Sequence, residues 1–331
     1  MIRSERRRLR FVYATWLFGI FAFFVPAATW SPASRFALTQ AVVERGTLSI
    51  DAYASSTGDR ALVGDRWFSE KAPLPSLVAA VPFAAVRAIQ HARGVQPTYR
   101  AYVQGQTPAA RLEVNQAYQQ GLFVSSVFTS ALGGVAVGLL AFELLRRRTT
   151  IRLALLGSAL LALGTPLFPY ATSFYGHTPA AALLLGALLA LDPLGQRGGL
   201  DPARKRVRIA ALCLAAAPGC EYLAAVPAAI IGGWFLLRSR ARLDALLDFA
   251  LGAVVPVAVV CAYHTATFGA PWRTGYSFIV NPQFEAGQKA GFLGITSLRA
   301  AASTRRTSTC CTSPARTWST PWSNRTTCGP T

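Results

Sequence analysis

The chain has 331 residues, 52% hydrophobic and only 14% charged, with a formal charge of +19. A soluble domain carries about 25% charged residues, whereas the apolar residues here come in runs of roughly 16 to 27, the length that crosses a bilayer core. That excludes a soluble enzyme, a secreted disulfide scaffold and a nucleic-acid-binding domain. The basic excess reports topology instead. Of 33 Lys and Arg, 17 lie in four clusters beside apolar runs, at Arg3 to Arg10, Arg146 to Arg152, Arg197 to Arg208 and Arg238 to Arg242, the mark of cytoplasmic loops.

In chain order, residues 1–30 read as a basic, cytoplasmic N-terminus and a first transmembrane helix, too long for a signal-peptide core. Residues 31–118 form one large external region. Within it, Ala72 to Ile89 is apolar but holds Pro73, Pro75 and Pro82, and proline interrupts helices, so a surface or re-entrant segment is expected. Parity agrees: helix 1 and the span 119–145, which ends at the Arg146 cluster, already return the chain to the inside. Residues 119–263 then hold transmembrane helices: 119–145, 151–168, 177–192, a pair at 209–237 broken at Pro218-Gly219-Cys220-Glu221, and 243–263. Residues 264–298 are a second external loop. Residues 299–331 turn abruptly to Ser, Thr, Arg and three Cys with no acid, a composition expected of an out-of-frame or disordered tail. The expected fold class is an all-α polytopic membrane protein of the inner (plasma) membrane, with membrane lipids as neighbours. Cysteine spacing gives no zinc or redox motif.

The acids are uneven too. Six of 14 fall in 31–118, namely Glu44, Asp51, Asp59, Asp65, Glu70 and Glu113, alongside nine Lys or Arg. Carboxylates gathered on one face supply general bases or ligands for a hard divalent cation; a solvated loop of mixed charge is the plain alternative. Glu221 stands at a helix break in an apolar segment, and an ionisable residue there is a functional candidate by cost alone.

The stretch from Ser34 through Arg35, Phe36, Glu44 and Gly46 to Asp51, followed by Trp67-Phe68-Ser69-Glu70-Lys71-Ala72-Pro73-Leu74, resembles the first external loop of the GT-C membrane glycosyltransferases. Among these are the dolichyl-phosphate-mannose protein mannosyltransferase and aminoarabinose transferase-like families. Ala217-Pro218-Gly219-Cys220-Glu221-Tyr222 resembles that family's short broken helix, and the order of elements over about residues 10 to 290 agrees. The resemblance implies transfer of a sugar from a polyprenyl-phosphate donor to an envelope acceptor on the external face. It makes Asp51, Glu70, Asp59 and Asp65 candidate bases, with Asp51 and Glu70 first. Arg35, Lys71 and His177 become candidate partners of the donor phosphate, and Glu221, Tyr175, Trp272 and Tyr276 further site candidates, the aromatics by stacking on sugar rings or by marking the interfacial belt. The place just before Arg35, where the family carries an acid, reads Trp30-Ser31-Pro32-Ala33-Ser34. A transporter or lipid flippase and a non-catalytic envelope scaffold are the rival readings.

Overall fold

The structure, a computed structural model, describes residues 3–26, 29–94, 108–191, 204–239 and 242–280. The tail 299–331, the loop beyond 280 and the Glu113 side chain lie outside the described residues. The fold is all-α apart from one short hairpin. Helices α1 (Arg3–Phe23) and α2 (Trp30–Arg45) come first, then a 3₁₀ turn (Asp51–Ser56) and strands β1 (Arg60–Val63) and β2 (Arg66–Ser69). Helix α3 (Leu74–Ala92) follows. Helices α4 (Pro108–Ser126) and α5 (Leu132–Leu145) are joined through a π-turn segment, Val127–Ala131. Next come α6 (Ile151–Leu163), α7 (Leu167–Thr172), α8 (His177–Leu191), α9 (Arg204–Cys220), α10 (Ala225–Arg238) and α11 (Arg242–Phe268).

Helical periodicity explains the packing. On α1, Tyr13, Leu17 and Phe21 recur every fourth residue and form one buried stripe against Val135 and Phe142 of α5 and Ala171 of α7, the geometry of an amphipathic face. Helices α8, α9, α10 and α11 share a second core through Ala187, Val207, Leu214, Phe235 and Ala245. A third holds the hairpin and α2 against the end of α11, through Leu38, Phe68, Tyr263 and Phe268. Two of the described helices are long and apolar enough to cross a membrane, Gln116–Leu145 and Leu243–Phe268; Ile151–Leu163, His177–Leu191 and Tyr222–Arg238 are apolar but shorter.

Two local expectations change. The prolines of 72–89 do not break the segment. Pro73 and Pro75 sit at the start of α3, where a missing N–H costs nothing, and Pro82 is carried inside a continuous 19-residue helix. The hairpin was not expected at all. Its strands are four residues each and pair antiparallel, with Val63 opposite Arg66 across Gly64-Asp65. Gly64 adopts φ +64, which a two-residue hairpin turn requires and glycine supplies without strain.

The interruption near Pro218 falls at Glu221. Pro218 stays within α9, while Glu221 is extended (φ −153, ψ 118) between α9 and the 3₁₀ turn that opens α10. A single residue thus turns the chain and aims its carboxylate sideways from the helix axis, toward α2.

Candidate active site

Five segments place charged or aromatic side chains at one point. The N-terminal half of α2 supplies Arg35, only 1% exposed. Its Nη2 donates to Glu221 Oε2 at 3.0 Å and its Nη1 to Ser31 Oγ at 2.7 Å. The serine therefore stands against the guanidinium from the stretch where an acid was looked for. Helix α2 is fixed there by Ser34 against Ser69 (2.9 Å) and by the Ser76 hydroxyl donating to the Arg35 carbonyl at 2.9 Å.

The hairpin brings the acids. Asp59 enters β1 and Glu70-Lys71 leaves β2, so the pairing of the strands sets them side by side. Lys71 Nζ lies 2.6 Å from Glu70 Oε1 and 3.0 Å from Asp59 Oδ2, and all three are largely buried. Burial pushes the Glu70 carboxyl above the usual glutamate range, against the pull of Lys71. Burial also works against the Lys71 charge, but Glu70 and Asp59 outweigh it and hold the ammonium above its usual range. Glu70 is thus a base moved toward neutrality, and Lys71 a permanent cation.

The turn between α7 and α8 supplies Tyr175 and His177. It is pinned to the π-turn segment: Ser130 Oγ donates to the Tyr175 carbonyl (2.8 Å) and accepts its N–H (3.0 Å), and the Thr178 hydroxyl donates to the Ser130 carbonyl (2.8 Å). A π-turn leaves such groups free to bond outside the helix, and these segments recur at functional sites. The Arg35 guanidinium lies 5.8 Å from the Tyr175 ring centre, and His177 stacks on Tyr170 at 4.1 Å. His177 Nδ1 is 3.6 Å from Glu221 Oε2.

Gly176 lets this turn approach α9. A Cβ there would overlap the Cys220 carbonyl oxygen. Gly176→Ala is therefore expected to lower stability by about 1–3 kcal/mol, the usual cost of overpacking, and to push Tyr175 and His177 off Arg35. A melting curve of the purified protein checks the first effect; an unchanged midpoint would argue against so tight an approach.

The loop after α11 closes the cluster. Tyr276 lies in the 3₁₀ turn Gly275–Phe278, with Lys71 Nζ 5.9 Å from its ring centre. Burial first, then the Glu221 carboxylate, push its phenol up, so it stays a neutral donor. The loop is held by Tyr222, whose hydroxyl is 3.0 Å from His264 Nε2, while His264 Nδ1 is 3.0 Å from the Pro271 carbonyl.

The structure thus gathers Arg35, Asp59, Glu70, Lys71, Tyr175, His177, Glu221 and Tyr276. It sets Asp51, Asp65 and Trp272 apart. Asp51 accepts the Ser49 hydroxyl and, at 2.6 Å, the Trp67 N–H. Burial nudges its carboxyl upward, but these donors and Arg66 outweigh it and hold it below the usual range, so it clasps the hairpin. Asp65 is exposed at the hairpin turn, and Trp272 is 80% exposed. Ser31, Ser130, Tyr170, Tyr222 and His264 were not singled out from sequence. Tyr222 adjoins Glu221 and could have been; hydroxyls such as Ser130 give no signal of their own.

Among the described residues no group of three His, Cys, Asp or Glu side chains is placed to hold a metal ion, and the Lys71 ammonium occupies the space between Asp59 and Glu70. These residues do not fit a divalent cation. Two cavities, of about 920 Å³ along α1 from Ser4 to Phe11 and about 430 Å³ beside Val86, Gln90, Gln116 and Gln120, lie apart from the cluster. Models of protein families, characterised proteins and solved structures were compared with the chain, and none matches.

Proposed function

We propose that the chain is a multi-pass membrane protein that transfers a sugar from a polyprenyl-phosphate donor to an envelope acceptor, in the manner of the GT-C glycosyltransferases. Two features support membrane residence. Only 17% of the apolar window of Leu243–Phe268 is buried, and Leu247, Leu251, Val254 and Val255 stand open along it. Helix α6 likewise exposes Leu153, Leu156 and Leu160. Rows of this size are stable in hydrocarbon and a liability in water. The shorter helices gain reach through their continuations, α6 into α7 and α9 into α10, and such broken backbone is tolerated at membrane depth where protein surrounds it.

The observation that carries the chemistry is the convergence of two cations and three carboxylates, with aromatic walls, from segments far apart in sequence. In this reading Glu70 takes the proton of the acceptor hydroxyl as its oxygen attacks the anomeric carbon. The bond from that carbon to the phosphate oxygen breaks, and Arg35 and Lys71 stabilise the departing phosphate. A single displacement inverts the anomeric centre. In the same reading Tyr175 and Tyr276 flank the sugar.

The test is consumption of a polyprenyl-phosphate sugar by the purified chain in nanodiscs. Substrate uptake into proteoliposomes without consumption would favour a transporter or flippase. The serine in place of the acid before Arg35 is the observation that favours a scaffold, and inactivity in both assays would bear that out.

For topology, a cytoplasmic Arg146 cluster goes with an even number of crossings before it, and on this reading α3 lies on or within the external face. A reporter fused at Arg100 is expected to read external, and a cytoplasmic reading would overturn this arrangement.

A further inference from the structure

Arg35, Glu221 and His177 meet at one oxygen. Glu221 Oε2 takes the Arg35 hydrogen bond at 3.0 Å and lies 3.6 Å from His177 Nδ1. Two buried nitrogens at this spot, Arg35 Nε and His177 Nδ1, have no hydrogen-bond partner. A guanidinium 1% exposed with a donor left unpaired is costly, and it points to a ligand that supplies the missing acceptor. The same guanidinium is already neutralised by Glu221, so an arriving anion competes with that carboxylate and faces it as a like charge.

We infer that a phosphodiester anion and Glu221 exchange partners: Arg35 turns from the carboxylate to the anion, and His177 takes a proton from solvent at Nδ1 and, as an imidazolium, donates a hydrogen bond from that N–H to the Glu221 carboxylate. The one bond made is the Nδ1–H of His177, its proton supplied by the buffer; one proton enters for each anion bound. The inference rests on the donor reading above and adds its regulation by pH.

The surroundings of His177 set the direction. The charges facing it are Glu221 from the α9–α10 break, Arg35 from α2 and Lys71 after β2, with Glu70 and Asp59 behind Lys71. Tyr170 and Tyr175 contact the ring. In the empty site burial first, and then the two cations, oppose an imidazolium against the pull of Glu221. An anion between them cancels that opposition, while Glu221, released from Arg35, asks for a new positive partner. The stacking on Tyr170 at 10° between ring planes holds the imidazole in place for it.

The experiment is titration calorimetry on the full chain in nanodiscs, repeated in two buffers of different ionisation enthalpy. The probes are farnesyl methyl phosphate and dimethyl phosphate, which do not themselves titrate near neutrality. The expected result is uptake approaching one proton per anion, with affinity tightening about tenfold per pH unit on acidification across the His177 titration. His177→Gln should bind without uptake and with a flat pH profile. Glu221→Gln, which removes the like charge, should bind about tenfold tighter. Uptake with farnesyl methyl phosphate alone assigns the anion to a lipid-linked source, and uptake with both assigns it to any phosphodiester; either supports the exchange. Binding without uptake, or uptake unchanged in His177→Gln, overturns it and leaves the donor reading standing. Absence of binding by both probes overturns the donor reading as well. Should His177→Gln fail to fold, the two-buffer measurement on the parent chain still decides.

Discussion

On the transferase reading proposed above, Glu70→Gln is expected to lower sugar transfer by about 10² to 10⁴, the usual loss when a general base is removed, while Asp51→Asn retains turnover. The two carboxylates separate by environment. Glu70 is buried beside Lys71 and within the field of Arg35, whereas the half-exposed Asp51 side chain is committed to Ser49 and the Trp67 N–H. A base works only when ionised, so turnover should fall as pH drops through the Glu70 pKa. Burial raises that pKa, so the fall comes at a higher pH than the ordinary value of about 4.3. The same shift has a stability consequence. A carboxyl whose folded pKa is raised contributes stability below its unfolded pKa, and that contribution is lost as pH rises through the folded pKa. The neutral Gln variant should then be at least as stable as the parent near neutrality, and Lys71 keeps Asp59 at 3.0 Å. Lost turnover with an unchanged melting curve is the expected pair of readouts. Full turnover in Glu70→Gln would move the role to Asp59 or end the transferase reading.

The second large effect is at Arg35. Removing one partner of a buried ion pair leaves the other charge uncompensated, at a cost of about 3–5 kcal/mol. Arg35→Leu should show that loss in denaturant unfolding, since it strands Glu221, whose side chain is 12% exposed. Arg35→Leu combined with Glu221→Leu should recover most of the stability, because apolar replacement of both partners is often neutral, yet stay inactive. A single variant as stable as the parent would mean that the pair does not hold α2 to the α9–α10 break.

Much of the helical order was legible because apolar runs bounded by arginine clusters carry their own punctuation. Glu221 was legible for a related reason, as a charge standing where charge is expensive. The hairpin was not. Four-residue strands containing Arg60 and Arg66 are too short and too polar for alternation to register, yet the hairpin decides which acids turn inward. That is why Asp51 and Glu70 looked equivalent along the chain: spacing orders residues, while strand pairing chooses their direction. Proline in α3 misled for the opposite reason, since its cost depends on whether it falls in the first turn or later. Contacts such as Tyr222 with His264, 42 residues apart, leave no local pattern to read.

The π-turn at Val127–Ala131 sets the phase of a long rod. One extra residue in the turn offsets α4 from α5 by about 100° in rotation and 1.5 Å in rise relative to a regular helix. Above it, Leu122 packs with Phe36 and Phe83; below it, Val135 and Phe142 pack on α1. Both faces are in register only with the surplus residue present. Losing a single codon here, a change that a surface loop would absorb, would rotate one half of the rod out of its seat and withdraw Ser130 from the turn that carries Tyr175 and His177.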